Sequence, residues 1–244
     1  MYPVYTGAWW GAAGGIGKVP LFFRVAVAIL FWTTLLAAAL LVPAGTFDWW
    51  RAWVLIGAMG ALTLGATSAL FRSHKDLIEE RIRLPIQRGQ PAADKIIIAL
   101  VVPMFYGLLV FTALDVFRLH LLGAPSAVVS LFGLALFFAG WRIAYLAARE
   151  NSFASAAVKH TERQAVVDTG VYGIVRHPMY AGAIPLLIGI PLWLQSYAGA
   201  VAALVPIGLF VVRILVEERF LAQALDGYEA YTRRVRYRLV PLLW

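Results

Sequence analysis

The sequence predicts an all-α, polytopic integral membrane protein with about six membrane-embedded helices, a C-terminal helical hairpin and an amphipathic cytosolic tail. Hydrophobic residues occupy 61% of the 244 positions and charged residues 14%, a balance unlike that of a water-soluble globule. Most of the apolar runs approach the ~20 residues that a helix needs to cross the hydrocarbon. None alternates as a membrane β-strand does. We therefore expect one membrane domain that comprises residues 1–244.

Each predicted helix corresponds to one apolar run. The runs are Leu21 to Val42, Ala52 to Leu70, Ile96 to Leu114, Ala127 to Ala148, Ala181 to Leu194 and Gly199 to Val216. The fifth run is short: at ~1.5 Å per residue it covers about two thirds of a ~30 Å core. It also contains Pro185 and Pro191, whose freed carbonyls neighbouring helices must satisfy. We expect a kinked helix that turns at residues 195–197 and packs on the sixth run as a hairpin.

Lys and Arg residues lie mostly on one side of this arrangement, which predicts that both termini are cytosolic. The cytosolic positions are Lys18, Arg72, Lys75, Arg81, Arg83, Arg88, Lys95, Arg149, Lys159, Arg163, Arg176, Arg219, Arg233, Arg234, Arg236 and Arg238. The opposite side has only Arg118, with Arg51 at a helix edge. The +8 net charge therefore indicates contact with membrane lipids and gives no reason to invoke nucleic acid.

Polar residues are unevenly distributed along the chain. Residues 1–125 form a mostly hydrophobic N-terminal helical scaffold, whereas residues 150–244 concentrate polar groups on the predicted cytosolic side. The stretch GVYGIVRHPMYAGA, residues 170–183, places Arg176, His177 and Pro178 directly before the fifth helix. Proline suits a first helical turn, and a basic residue beside headgroups is an ordinary anchor.

The adjacent acids Glu217 and Glu218 argue against a simple anchor. They stand at the cytosolic end of the sixth helix, where two neighbouring carboxylates repel one another and are costly to desolvate. Because the predicted hairpin returns both of its ends to the cytosolic side, these acids should approach Arg176 and His177. The sequence thus predicts one shared polar pocket.

The motifs resemble a known family. GVYGIVRHPMYAG, then EERFL after the sixth helix, then GYEAYTRRVRYRLVP, is similar to the isoprenylcysteine carboxyl methyltransferase family and its phospholipid methyltransferase relatives, over roughly residues 150–244. The tail has LDGY where a Phe-Gly pair is usual, which is more like the bacterial branch. This resemblance implies a bacterial inner-membrane protein and makes residues 150–244 the cofactor-binding catalytic part.

The resemblance also implies a chemistry and a set of site residues. The methyl donor would be S-adenosylmethionine, and the acceptor would be lipophilic. Arg176 and Glu218 would lie beside the methyl acceptor as catalytic groups. The cofactor would be bound by Val175, His177, Pro178, Met179, Tyr180, Gly182, Glu217, Glu218, Tyr228 and Tyr231.

Two features have alternative interpretations. Arg142 lies within the fourth helix, close enough to its end for the side chain to reach the interface; alternatively, Arg142, Glu150 and Asn151 form a substrate-binding wall. The residues from Phe220 to Tyr231 have helical spacing, which also suits an amphipathic interfacial helix.

Other functions are compatible with a helical membrane protein. An NADPH-dependent reductase of the sterol type also carries an RHP segment, but Asn-Tyr and then Gly-Glu typically follow it, whereas this chain has Met179 to Ala183. A transporter could use Arg142 and Asp115 as a pathway, yet its paired discontinuous helices are missing from the pattern. Without cysteine, and with His160 and His177 lacking a clear ligand partner, we expect no metal.

Overall fold

The computed structural model describes residues 20–71, 78, 92–151 and 166–244, and the regular structure in these ranges is helical. The helices are α1 (Leu21–Ala44), α2 (Trp50–Phe71), α3 (Ala92–Leu114), α4 (Ala127–Glu150), α5 (Pro178–Trp193), α6 (Tyr197–Ala202), α7 (Leu204–Ala224) and α8 (Tyr228–Arg234). Within the described ranges, five segments are long and apolar enough to cross a membrane, α6 and α7 together forming one of them, and α5 is a shorter apolar helix. The predicted polytopic helical membrane protein is confirmed.

Several of the residues used to predict orientation lie outside the described ranges. They are Lys18, Arg72, Lys75, Arg81, Arg83, Arg88, Lys159 and Arg163, together with His160. We therefore call the end of the bundle that carries Arg176 and His177 the motif end. The main hydrophobic core lies away from it and is formed by α1 to α5, with Leu40, Leu55, Leu109, Phe137 and Ile190 almost fully buried.

The most extensive helix packing joins α4 to α5. Glycines let the two backbones approach closely, as small residues commonly do between membrane helices. A Cβ atom at Gly133 of α4 would lie 2.6 Å from the Cβ of Leu192, and one at Gly182 of α5 would lie 2.6 Å from the carbonyl oxygen of Gly140. The main packing partner of α5 is thus α4. The predicted hairpin had instead implied that α5 would pack mainly on the helix that follows it.

The turn after α5 is the predicted one. Gln195 adopts a positive φ of 73°, and the hydroxyl of Ser196 accepts a hydrogen bond from the backbone N–H of Gly199 at the start of α6. Ser196 also donates to the buried carboxylate of Asp115 across 2.6 Å, while a second oxygen of Asp115 accepts from the N–H of Leu121. Asp115 therefore stabilises turns between helices, which weakens its interpretation as a pathway residue.

The tail is divided into two helices. α7 ends at Ala224, and Gly227, with φ of 82°, precedes α8. The helical spacing from Phe220 to Tyr231 therefore predicts the helical residues but misses this break. The side chains of Leu225, Tyr228, Tyr231 and Val235 form a buried cluster, so the apolar face of the tail packs within the protein.

Candidate functional site

The residues from Arg176 to Tyr180, which we call the RHP segment, lead into α5 at the motif end. His177 occupies the position before the helix, with φ of −124°, and Pro178 is its first residue, where the missing N–H leaves no hydrogen bond unmade. A 3₁₀ turn, Gly170–Gly173, comes before this segment. The carboxylate of Glu150, the last residue of α4, accepts a hydrogen bond of 2.8 Å from the N–H of Val171. The end of α4 thus holds the approach to the RHP segment.

The end of the chain runs alongside the same segment. The backbone N–H of Arg176 donates to the carbonyl of Tyr237, and that of His177 donates to the carbonyl of Arg238, both at 2.9 Å. The guanidinium of Arg176 also donates from Nη1 to the carbonyls of Val235 and Arg236, each at 3.1 Å. These bonds fix the tail to the start of α5, and they bring Arg238 into the site.

Glu218 is the centre of a charged cluster. Its Oε1 atom accepts from Nε of Arg176 at 2.7 Å and lies 3.2 Å from Nε2 of His177, while its Oε2 atom accepts from Nε of Arg238 at 2.9 Å. The side chains of Arg176, His177 and Glu218 are only 7%, 5% and 13% exposed. The predicted meeting of the two motifs is present, and both oxygens of Glu218 are already engaged.

Glu217 has a different environment. Its Oε2 atom accepts a hydrogen bond of 2.8 Å from the hydroxyl of Tyr180, and among the described residues it forms no ion pair. The ring of Tyr180 lies between those of His177 and Phe210, at centroid distances of 5.7 Å and 5.3 Å. The two adjacent glutamates therefore differ: Glu218 pairs with Arg176 and Arg238, whereas Glu217 accepts from Tyr180 and forms no ion pair with a described residue.

Two tyrosines of the tail, Tyr228 and Tyr231, lie near this cluster. Burial raises the pKa of the Tyr228 hydroxyl above its ordinary value, and the negative charges of Glu218 and Glu217 raise it further. Burial likewise raises the pKa of Tyr231, whose hydroxyl donates to the carbonyl of Tyr172 at 2.9 Å. Both phenols therefore remain protonated donors at neutral pH.

Two cavities lie beside the motif. The larger, of about 470 Å³, is mainly apolar and is bounded by α1 to α4 and by Met179; its walls include Ile29, Trp32, Thr63, Thr67, Tyr106 and Tyr145. The smaller, of about 290 Å³, is lined by Arg176, Glu218, Ala222, Tyr228, Glu229, Thr232 and Arg238. Since Arg176 and Met179 are three residues apart, the RHP segment borders both an apolar space and a charged one.

The remaining predicted site residues are distributed around this arrangement. Val175 and Pro178 are buried, and Gly182 faces the backbone of α4, a close contact that by itself accounts for glycine there. Arg142 is exposed, and its guanidinium lies 5.9 Å from the ring of Tyr145. Asn151 is half-buried just after α4. The structure does not bring Arg142 into the Glu218 cluster, so its substrate role stays a prediction.

Sequence reasoning missed three charged groups. Arg238 was predicted only to lie on the cytosolic side, although it belongs to the GYEAYTRRVRYRLVP stretch that carries part of the resemblance. Asp94 and Arg213 form a buried ion pair between α3 and α7, with Nε and Oδ1 2.9 Å apart. The available signals for this pair were the charge of Arg213 inside the sixth apolar run and that of Asp94 just before the third. No group of three or more His, Asp or Glu side chains in the described ranges is placed to hold a metal.

The bundle and its charged end define an integral membrane protein with a polar site at one end of its helices. Residues 128–226 match the sequence profile of the phospholipid methyltransferase family, which confirms the resemblance. The matched range begins in α4 and ends just after α7, so it includes the RHP segment and both glutamates. The chain has no match among curated proteins.

Proposed function

We propose that the protein is an S-adenosylmethionine-dependent methyltransferase of the membrane, acting on a lipophilic acceptor at the cytosolic interface. The observation that carries this proposal is the contact of the RHP segment with Glu217 and Glu218 within the range that matches the phospholipid methyltransferase profile. The same segment borders an apolar cavity and a charged one. A cationic cofactor from water and an acceptor from the bilayer would therefore meet at it.

The donor groups fit a cofactor that carries an ammonium, a carboxylate and a sulfonium. Glu217, held by Tyr180 and lacking a cationic partner among the described residues, would bind the positive charge of the cofactor. Tyr228 offers a protonated phenol at the charged cavity, and Arg176 and Arg238 lie beside it. We assign the ammonium contact to Glu217, because the oxygens of Glu218 already accept from Arg176 and Arg238 and approach His177.

The protein contributes mainly position and exclusion of water. When bound, the cofactor supplies an electrophilic methyl group, whose transfer is an in-line displacement that needs little covalent help. Arg176 lines the charged cavity, and Met179, three residues later, lines the apolar one. We therefore assign Arg176 to the boundary at which the acceptor would react. The apolar walls would hold the hydrocarbon of the acceptor and keep water away from the reacting atom.

Two experiments test the proposal. Membranes containing the protein are incubated with methyl-labelled S-adenosylmethionine, and label is sought in the extracted lipids; we expect incorporation that Glu217→Gln reduces and Asp226→Asn, at an exposed residue, leaves intact. Calorimetric titration of the purified protein should show binding of S-adenosylmethionine and none of NADPH. Binding of NADPH alone would favour the reductase, and binding of neither would overturn the proposal.

A further inference from the structure

The buried ion pair of Asp94 and Arg213 lies beside the glutamate that we assign to the cofactor. Asp94 is fully buried in the first turn of α3, and Arg213 is 8% exposed on α7. Nε of Arg213 donates to Oδ1 of Asp94 at 2.9 Å. Moving two charges from water to a position between apolar helices costs free energy. The presence of a buried ion pair is therefore weak evidence that the pair serves only to stabilise the fold.

The spacing along α7 gives Arg213 a second possible partner. Arg213 and Glu217 are four residues apart, so their side chains occupy the same face of α7 on successive turns. Oppositely charged residues at this spacing commonly pair. Among the described residues, however, Arg213 pairs with Asp94 and Glu217 accepts only from Tyr180.

Tyr180 stands between the two charges. Its hydroxyl donates to Glu217 at 2.8 Å, and the guanidinium carbon of Arg213 lies 5.7 Å from the centre of its ring. A guanidinium drawn towards Glu217 would therefore compete with the hydroxyl of Tyr180 for the carboxylate. The position of the Arg213 side chain decides whether Glu217 offers a full negative charge.

We infer that Asp94 is a positioning residue that holds Arg213 away from Glu217 and thereby leaves the Glu217 carboxylate free to bind the cationic amino-acid end of the cofactor. This inference rests on the proposed function. Asp94 lines neither cavity, and we assign its effect on Glu217 to its ion pair with Arg213. Without the charge of Asp94, Arg213 turns to its neighbour on α7 and neutralises it.

The test compares two ligands that share the adenosine part and a neutral thioether sulfur. S-adenosylhomocysteine carries the amino-acid end, whereas methylthioadenosine lacks it, so the ratio of their affinities reports the contribution of Glu217. In Asp94→Asn we expect this ratio to fall at least tenfold, with methylthioadenosine binding unchanged. Asp94→Glu, which keeps the charge, should retain much of the ratio. A general loss of structure would weaken both ligands together and leave the ratio unaltered.

A double variant keeps the inference testable even if Asp94→Asn does not fold. Asp94→Asn combined with Arg213→Gln removes both buried charges, and Glu217 is then free again. We expect the affinity ratio of this variant to equal that of the unmodified protein. A folded double variant whose ratio has collapsed would overturn the inference, as would a folded Asp94→Asn variant with an unchanged ratio.

The outcome for the unmodified protein separates the two proposals. If it binds S-adenosylmethionine but the variants contradict the expectation, the role of Asp94 is wrong and the proposed function stands. If it binds neither S-adenosylmethionine nor S-adenosylhomocysteine, the proposed function fails and the role of Asp94 fails with it. Thermal unfolding without ligand is recorded for every variant, so that a change in stability is measured apart from the affinity ratio.

Discussion

Arg176 and Glu218 are 42 positions apart in the chain, and Nε of Arg176 lies 2.7 Å from Oε1 of Glu218. Two further bonds surround this pair: the tail carbonyls of Val235 and Arg236 accept from Arg176. A partly buried guanidinium and a partly buried carboxylate thus join α5, α7 and the tail. Changes at either residue should therefore affect both the site and the packing of the tail.

Neutralising Glu218 should destabilise the tail and reduce methyl transfer. Glu218→Gln leaves Arg176 and Arg238 without their shared anion, and each hydrogen bond to a charged group contributes about 1.5 to 3 kcal/mol. We expect earlier proteolysis of the C-terminal segment, a lower unfolding temperature and at least a tenfold loss of activity. The matched control is the exposed Asp226→Asn, which should behave as the unmodified protein does. Equal protease resistance in the two variants would contradict the anchoring role of Glu218.

Filling the apolar cavity should reduce the use of long-chain acceptors. Ala66 of α2 lines this cavity, and a phenylalanine there would occupy space that we assign to acceptor hydrocarbon. In the unmodified protein, each added methylene should improve apparent affinity by up to ~0.8 kcal/mol until the cavity is filled. Rates are compared at equal acceptor mole fraction in the bilayer. The control is Val128→Phe, because Val128 is an exposed residue in the first turn of α4 and does not line the cavity. The same chain-length dependence in Ala66→Phe would argue that the acceptor lies elsewhere.

Close packing of α4 on α5 should make Gly133 intolerant of a side chain. In Gly133→Ala the new Cβ would lie 2.8 Å from the carbonyl oxygen of Gly189 and 2.6 Å from the Cβ of Leu192, so the helices must separate. Such overpacking costs about 1 to 3 kcal/mol of unfolding free energy. Gly208→Ala, where nothing lies within 4 Å, should instead be neutral or stabilising by up to ~1 kcal/mol. Thermal unfolding in detergent compares the stabilities of the two variants. A Gly133→Ala variant as stable as the unmodified protein would show that α4 and α5 pack less closely than these distances indicate.

The hydroxyl of Tyr231 should contribute about 1 kcal/mol to stability. Tyr231→Phe removes the 2.9 Å hydrogen bond to the carbonyl of Tyr172. Because burial raises the folded-state pKa of this phenol above its unfolded value, the contribution is fully present below about pH 10 and is lost as the pH rises through the folded-state pKa. Unfolding free energies of the two proteins across alkaline pH check this, and an unchanged difference far above pH 10 would show that the hydroxyl does not act as the donor.

Orientation is tested with single cysteines, since the chain has none of its own. Ser126, before α4, and Ala230, on α8, are both exposed and lie in segments joined to opposite ends of the long helices. The Lys and Arg distribution predicts that a cysteine at Ser126 reacts with an impermeant reagent in intact cells and that one at Ala230 does not. The reverse pattern would place the motif end outside the cell and remove the cytosolic supply of cofactor.

Much of the fold was predictable because the membrane imposes a length and a composition on each spanning helix. The apolar runs gave the spans, Pro178 marked the first turn of α5, and the turn at Gln195 followed from the shortness of that run. The break at Gly227 was not predicted, because helical spacing continues across it. The α4 and α5 contact was also missed, since a glycine shows only that a backbone approach is possible and does not name the partner.

The sequence by itself determined where the RHP segment and the two glutamates stand in the chain, and it predicted that they meet, as their hydrogen bonds show. Only the tertiary structure decided how the charges are divided: Glu218 is surrounded by Arg176, His177 and Arg238, whereas Glu217 accepts from Tyr180. The physical reason is that two adjacent residues of a helix point about 100° apart and so meet different neighbours. Which neighbours they meet depends on the crossing of α5, α7 and the tail, and a pattern along one chain does not contain that geometry.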